Sequence, residues 1–177
     1  SQAEHDKMAS AVLVTDSRKL AQAVSREIEN QLQTLEREEI ARASIEQNGK
    51  IIVARSLTQA AEVANRIAPE HLELSVDDPF DYLGLIENAG SIFLGRYNPE
   101  PMGDYFAGPN HTLPTMGTAR FYSPLSVDDF VKKSQFSYYT REALERDCRK
   151  VSRFAKEEGL TAHARAVDIR FEKEGEA

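Results

Sequence analysis

The sequence predicts an α/β fold, and three observations lead to this prediction. Short, continuously apolar segments alternate with amphipathic ones, the apolar segments have the length of buried strands, and Asn-Gly or proline ends several helical stretches. Apolar strands joined through helices favour a parallel sheet covered on both faces. We therefore expect a Rossmann-like partial parallel sheet with flanking helices, followed by a small, mainly helical C-terminal tail domain.

The elements of the first part follow from apolar periodicity and from capping residues. Ser17 and Ser56 are expected to cap helices, and Pro69 to end one, because serine accepts a first-turn N–H and proline cannot continue a helix. We predict strands at 11–15, 51–54, 71–76 and 91–95, and helices at 20–35, 38–47, 57–67 and 81–87.

Residues 96–125 interrupt this alternation with a segment rich in proline and glycine. Long irregular segments inside a compact chain are usually functional or disordered, and five aromatic residues in this one argue against disorder. Beyond it we predict a short helix at 127–133, a short strand at 136–139, a long helix at 141–158, and helix or strand at 162–171. The chain is thus divided into an α/β part, 1–125, and a mainly helical part, 126–177.

Composition and charge restrict the class of protein. The net charge of -7 argues against nucleic acid as a partner, because phosphate binding requires clustered Lys and Arg. Cys148 is the only cysteine, which excludes an intrachain disulfide and favours the cytoplasm. No apolar run approaches the length of a membrane span, so we expect no membrane partner. The chain starts without Met, and residues 1–5 resemble the middle of a helix, so we expect a fragment of a longer polypeptide.

All four histidines lie among carboxylates or amides, as metal and proton-transfer sites require. Gln2 and His5 are three residues apart, so on a helix they would share one face. Asp104 and His163 would supply the oxygen and nitrogen that complete a four-ligand shell for Zn²⁺. No spacing rule links these four positions, and the alternative is a solvated helix face plus an aspartate in a turn.

Glu70 and His71 follow Pro69 at the junction of a predicted helix and strand. An adjacent carboxylate and imidazole provide two proton acceptors, which suits a mechanism with more than one deprotonation. The alternative is that Pro-Glu-His only turns the chain. The Gly-x-Gly-x-x-Gly fingerprint of a dinucleotide site is absent from the sequence.

Five motifs occur in the order and approximate spacing found in histidinol dehydrogenase. They are Ser1-Gln2-Ala3-Glu4-His5, Pro69-Glu70-His71-Leu72, the segment 89–95, Gly103-Asp104-Tyr105 with the segment 108–115, and Gly159-Leu160-Thr161-Ala162-His163. On these motifs the chain, from residue 1 to about 171, resembles the C-terminal portion of that family. The resemblance implies an NAD-dependent oxidoreductase of histidine biosynthesis, which oxidises L-histidinol to L-histidine through histidinaldehyde.

The resemblance also implies the roles of individual residues. The zinc ligands would be Gln2, His5, Asp104 and His163, with the last donated by the other subunit of a homodimer. Glu70 and His71 match the catalytic proton acceptors. Substrate contacts would come from Gln2, His5, His71, Asp104, Glu158 and His163, and His111 is a further neighbour of the site.

The NAD-contacting residues of the family lie outside this chain, so we expect the chain alone to be inactive and to bind NAD poorly. Two other hypotheses stay open. In the first, the chain is a folded, non-catalytic dimerisation module whose metal site is empty. In the second, it is a zinc hydrolase in which Glu70 activates water. Stoichiometric zinc in the purified chain would support a preformed metal site, and its absence would support the module. Hydrolysis without NAD would support the hydrolase.

Overall fold

The structure, a computed structural model, describes residues 1–172 of the 177-residue chain. These residues contain four strands: β1 (Val12–Thr15), β2 (Lys50–Val53), β3 (His71–Leu74) and β4 (Ser91–Leu94). They contain seven α-helices: α1 (Arg18–Leu32), α2 (Glu38–Asn48), α3 (Leu57–Ile67), α4 (Phe80–Leu83), α5 (Glu100–Tyr105), α6 (Arg141–Glu157) and α7 (Thr161–Asp168). Short 3₁₀ turns occur at Gln2–Glu4, Thr118–Arg120, Val127–Phe130 and Ile169–Phe171.

The strands form two parallel pairs, β1 with β2 and β3 with β4. Each pair is connected through helices, as parallel neighbours require. The predicted α/β class with parallel strands and flanking helices is confirmed, but within residues 1–172 the two pairs are not hydrogen-bonded into one sheet. Helix α3, which follows β2, packs against β1.

Local capping places the helices where the sequence predicts them. The Ser17 hydroxyl accepts the Leu20 N–H at 3.1 Å, and the Ser56 hydroxyl accepts the Gln59 N–H at 3.2 Å. Helix α3 ends because Ala68 adopts a left-handed conformation, with φ of 53°, and Pro69 follows it. The exit of α3 directs the chain into β3.

Several predicted elements differ from the structure, among them the helix predicted at 127–133, which is the 3₁₀ turn Val127–Phe130. Residues 136–139 form no strand, because their side chains are exposed and no neighbouring strand supplies the backbone hydrogen bonds. The segment 96–125 contains helix α5 and a 3₁₀ turn, which the proline content concealed. The helix predicted at 81–87 is the single turn α4, and residues 2–4 form a 3₁₀ turn.

The chain divides into two compact units, Ser1–Val131 and a second that begins at Lys132, a few residues beyond the predicted boundary. In the first unit, buried Ala3, Leu32 and Ala41 form a small core cluster. In the second, α6 packs against α7, where the Ser152 hydroxyl donates to Asp168 at 2.9 Å.

Large apolar side chains remain exposed in both units, whereas the buried apolar residues are mostly alanines. No helix among the described residues is long and apolar enough to span a membrane.

Candidate active site and metal centre

The start of β3 carries the predicted proton acceptors. His71 is its first residue, and its parallel partner is Ser91 at the start of β4. Gly90 donates to the Pro69 carbonyl at 2.9 Å, and Ser91 donates to the Glu70 carbonyl at 2.8 Å. A Cβ on Gly90 would lie 2.6 Å from that Glu70 carbonyl oxygen, so glycine permits the close approach that fixes Glu70 and His71.

The His71 imidazole is mostly buried, with 17% of its side chain exposed. Its Nε2 atom is fully buried and has no hydrogen-bond partner among the described residues. The ring lies beside Phe93, at 5.9 Å between centroids and an interplanar angle of 37°. A buried polar nitrogen without a partner is costly in an empty protein interior, and such atoms are often found where a ligand binds.

Helix α5 presents two carboxylates to this imidazole. Glu100 and Asp104 are one turn apart on the same helix face, and one oxygen of each lies 3.8 Å from His71 Nε2. These distances are too long for hydrogen bonds. One ligand atom from each of the three side chains lies within 4.8 Å of the others. We call this group the His71–Glu100–Asp104 cluster.

The position of α5 depends on a glycine contact with β4. A Cβ on Gly103 would lie 2.5 Å from Cε1 of Phe93, a distance that real Cβ atoms do not adopt. Only glycine therefore allows the helix backbone to lie directly against the Phe93 ring. The same ring contacts His71, so Phe93 sets the spacing between the imidazole and the helix.

The electrostatics of the His71–Glu100–Asp104 cluster are dominated by two carboxylates that lie close together. Burial raises the pKa of Glu100 above its usual range, and a hydrogen bond with Asp104 and the charge of Asp104 raise it further. The charges of His71 and His5 act in the opposite direction on the same pKa. Glu100 and Asp104 are 14% and 19% exposed, so water screens their repulsion only partly.

The structure brings some of the predicted site residues together. His71 and Asp104 share the cluster, His111 Nδ1 lies 4.0 Å from Asp104 Oδ1, and His5 acts electrostatically on Glu100. Gln2 begins the 3₁₀ turn for which His5 is the C-cap, and the Gln2 carbonyl accepts the His5 N–H at 3.3 Å.

Two further predicted site residues belong to the second unit. Glu158 is the C-cap of α6 and His163 is in the first turn of α7, both exposed within the second unit.

Glu100 was missed by the sequence analysis. Its spacing of four residues from Asp104, after Pro99 and before Pro101, is compatible with one helical turn that begins at a proline-rich start. The segment was instead interpreted as an irregular loop because of its prolines and glycines. A search for carboxylates four residues apart would therefore have found Glu100 and Asp104 in the sequence. Their position beside His71 could not have been found from the sequence.

The donor set fits a zinc ion. Nitrogen and oxygen ligands about 2.0–2.1 Å from Zn²⁺ at tetrahedral angles are about 3.4 Å apart. The 3.8 Å separations around His71 Nε2 are close to that spacing, so the cluster offers a ligand set of its own, which shares Asp104 with the set that the resemblance implies but differs from it at His71. The negative charge of two carboxylates also favours a cation at this position.

Comparison with known proteins identifies the class of protein to which the chain belongs. The family model for histidinol dehydrogenase, a family of oxidoreductases, matches residues 1–171. The chain therefore belongs to the histidinol dehydrogenase family, and the resemblance found in the sequence is confirmed.

The most similar relatives support the same conclusion. The chain is 58% identical over 174 residues to a histidinol dehydrogenase of Bacillus cereus, with 98% of this chain and 41% of the relative covered. It is 58% identical over its whole length to that of Geobacter metallireducens, again with 41% of the relative covered. The crystal structure of histidinol dehydrogenase from Elizabethkingia anophelis matches 95% of this chain and 39% of that one, with a TM-score of 0.82 and 38% identity. The chain thus spans about 41% of the length of these curated relatives.

Proposed function

We propose that the chain is the site-bearing portion of a zinc-dependent, NAD-linked enzyme that oxidises L-histidinol to L-histidine through histidinaldehyde. The observation that carries this proposal is the buried, unpartnered Nε2 of His71 facing the carboxylates of Glu100 and Asp104, in a chain of the histidinol dehydrogenase family. An imidazole in this position is suited to exchange a proton with a bound alcohol.

The proposed metal ligands are Gln2, His5 and Asp104, with His163 contributed by the second copy in a homodimer. The charge of His5 acts on Glu100 of α5, which supports His5 and Asp104 as one group, and Gln2 is linked to His5 by a backbone hydrogen bond. When bound, Zn²⁺ would supply a Lewis acid that holds the imidazole and amine of the substrate. Glu100 would then act as a neighbouring carboxylate that offsets part of the metal charge.

His71 and Glu70 would handle the protons of two successive oxidations. In the first, His71 Nε2 accepts the hydroxyl proton of the substrate as the carbinol carbon loses its hydride. In the second, Glu70 accepts a proton from the water that adds to the aldehyde. NAD⁺ would supply the hydride acceptor in both steps, and two proton acceptors therefore match two oxidations.

The remaining roles concern binding of the substrate. The Glu158 carboxylate would pair with the substrate ammonium, and His163 on the neighbouring helix turn would lie beside it. His111, which lies 4.0 Å from Asp104 and is 68% exposed, would contact the substrate from the open side. Gln2, His5, His71 and Asp104 would complete the substrate contacts.

The proposal includes a homodimer in the cytoplasm, with NAD-contacting residues outside the 177 residues of this chain. We therefore propose that the chain alone is inactive. The decisive assay mixes it with the rest of the polypeptide and zinc and follows NADH formation from histidinol. NADH formation only in the mixture supports the proposal, whereas turnover by the chain alone contradicts the proposed inactivity.

A second candidate function is a folded dimerisation module without catalysis. It is favoured by exposed aromatic side chains in the second unit, among them Phe136, Tyr138 and Phe154. Metal analysis of the purified chain separates the two functions. Zinc at one ion per chain supports the enzyme, and its absence after incubation with zinc supports the module.

A further inference from the structure

Helix α5 has no side-chain cap from its own N-cap residue, which is Pro99. Within its first turn, Pro101 has no N–H, and Met102 donates to the Pro99 carbonyl at 2.9 Å. The N–H of Glu100 instead donates to Glu73 Oε1 at 2.8 Å, across 27 residues of sequence. The helix start is therefore capped from strand β3.

Glu73 lies two residues after His71 on β3, so both side chains project from the same face of the strand. One strand thus carries both the imidazole and the carboxylate that holds the facing helix. A six-residue helix has little intrinsic stability, and its position must come from tertiary contacts. The described residues provide a contact at the helix start, through Glu73, and another at Gly103 against Phe93.

A negative side chain near a helix N-terminus is also favourable because of the partial positive charge there. Glu73 is exposed, so burial does not hold it in place, and its 2.8 Å bond to Glu100 is the interaction that explains its orientation. The bond acts directly on the backbone of Glu100, one of the two carboxylates that face His71.

We infer that Glu73 is a positioning residue of the candidate site, because its carboxylate fixes α5 on β3 so that Glu100 and Asp104 face His71. The connection to zinc rests on the proposed function, whereas the fixing of the helix does not. Loss of the bond would let the helix start separate from the strand and would widen the His71–Glu100–Asp104 cluster.

The test compares Glu73→Ala with Glu73→Gln in the zinc-loaded full-length protein. Alanine removes the acceptor, whereas glutamine keeps an oxygen at the same reach. Asp129→Ala is the matched control, since Asp129 accepts the Ser126 N–H at 2.7 Å at the start of the 3₁₀ turn Val127–Phe130, away from α5. The measurements are zinc affinity by competition with a chromophoric chelator, and backbone hydrogen exchange of residues 100–105 with and without zinc.

We expect Glu73→Ala to weaken zinc binding about two- to thirtyfold, the range for loss of one helix cap, and to speed exchange in residues 100–105. Glu73→Gln should restore both properties to within about twofold, and Asp129→Ala should change neither. Unchanged exchange in Glu73→Ala, or a glutamine variant as impaired as the alanine variant, would overturn the inference. If the wild-type protein binds no zinc, the proposed function fails, while the exchange comparison still decides the role of Glu73.

Discussion

At the scale of single residues, the site combines a buried nitrogen without a partner and two partly buried carboxylates that repel each other. Both features destabilise a protein interior that contains no ligand, because desolvated polar groups need partners. A cation bound at Asp104 would relieve the repulsion between the carboxylates, and a substrate hydroxyl would give His71 Nε2 a hydrogen-bond partner. These unfavourable interactions therefore lower the stability of the ligand-free protein and make ligand binding more favourable.

Glu100→Gln is expected to stabilise the metal-free protein at neutral pH. The pKa of Glu100 is raised in the folded state, so folding binds a proton, and the free energy of unfolding falls as pH rises through the raised pKa. The gain should exceed the roughly 0.2–0.5 kcal/mol of an exposed like-charge pair and should vanish below the ordinary glutamate pKa. Urea unfolding at pH 4 and pH 7 measures it. A variant less stable than wild type at pH 7 would show that repulsion does not dominate at this position.

His71→Asn and Glu70→Gln should separate the two oxidations in the full-length protein. Loss of His71 should slow both steps about 10²–10⁴-fold, the usual contribution of a general base. Glu70→Gln should slow mainly the aldehyde step. NADH formation from histidinol and from histidinaldehyde, supplied separately, provides the two rates. Equal loss of both rates in the Glu70 variant would contradict the assigned division of roles.

At the scale of secondary-structure elements, the site is built where the start of one strand meets a short helix. Gly90 lets β3 and β4 pair closely at Glu70, and Gly103 lets α5 lie against Phe93. Both glycines are needed for close approach, since a Cβ at either position would overlap backbone or ring atoms. The geometry of the site thus depends on two glycines, which have no reactive side chain.

Gly103→Ala is expected to destabilise the protein by about 1–3 kcal/mol, as overpacking does, although alanine favours helix by about 1 kcal/mol. The new Cβ would lie 2.5 Å from the Phe93 ring and would push α5 away from β4. Gly84→Ala is the matched control, because nothing lies within 4 Å of a Cβ there and its φ is −67°. Urea unfolding of both variants measures the difference. Equal stability of the two variants would refute the packing argument.

At the scale of the whole molecule, the candidate residues are distributed over two compact units. Asp104 and His71 belong to the first, while Glu158 and His163 belong to the second. In the proposed homodimer a complete metal site takes residues from two copies. This arrangement can be tested without knowledge of the dimer geometry.

Subunit mixing should restore activity to a pair of inactive variants of the full-length protein. Asp104→Ala and His163→Ala each remove one proposed ligand from every site of their own homodimers. In a heterodimer one site carries both defects and the other carries neither, so random mixing should recover about a quarter of wild-type activity. The rate of NADH formation after unfolding and refolding the mixture measures this recovery. If the refolded mixture stays as inactive as its components, the shared site is refuted.

The sequence predicted those features that depend on local interactions. Ser17 and Ser56 cap helices, apolar runs form parallel strands, and both follow from residues a few positions apart. The strand predicted at 136–139 was wrong because a strand requires a partner, which local pattern does not specify. Helix α5 was missed because its prolines and glycines lower helix propensity, whereas contacts with Glu73 and Phe93 hold it in place.

The sequence alone determined the family, the α/β class and the chemistry-bearing motifs, because motif order and apolar periodicity are properties of the chain itself. The tertiary structure decided that Glu100 joins Asp104 at His71, and that Glu73 caps the helix which carries them. Contacts of this kind join residues about 30 positions apart, and only the packing of β3, β4 and α5 brings such residues within a few ångströms.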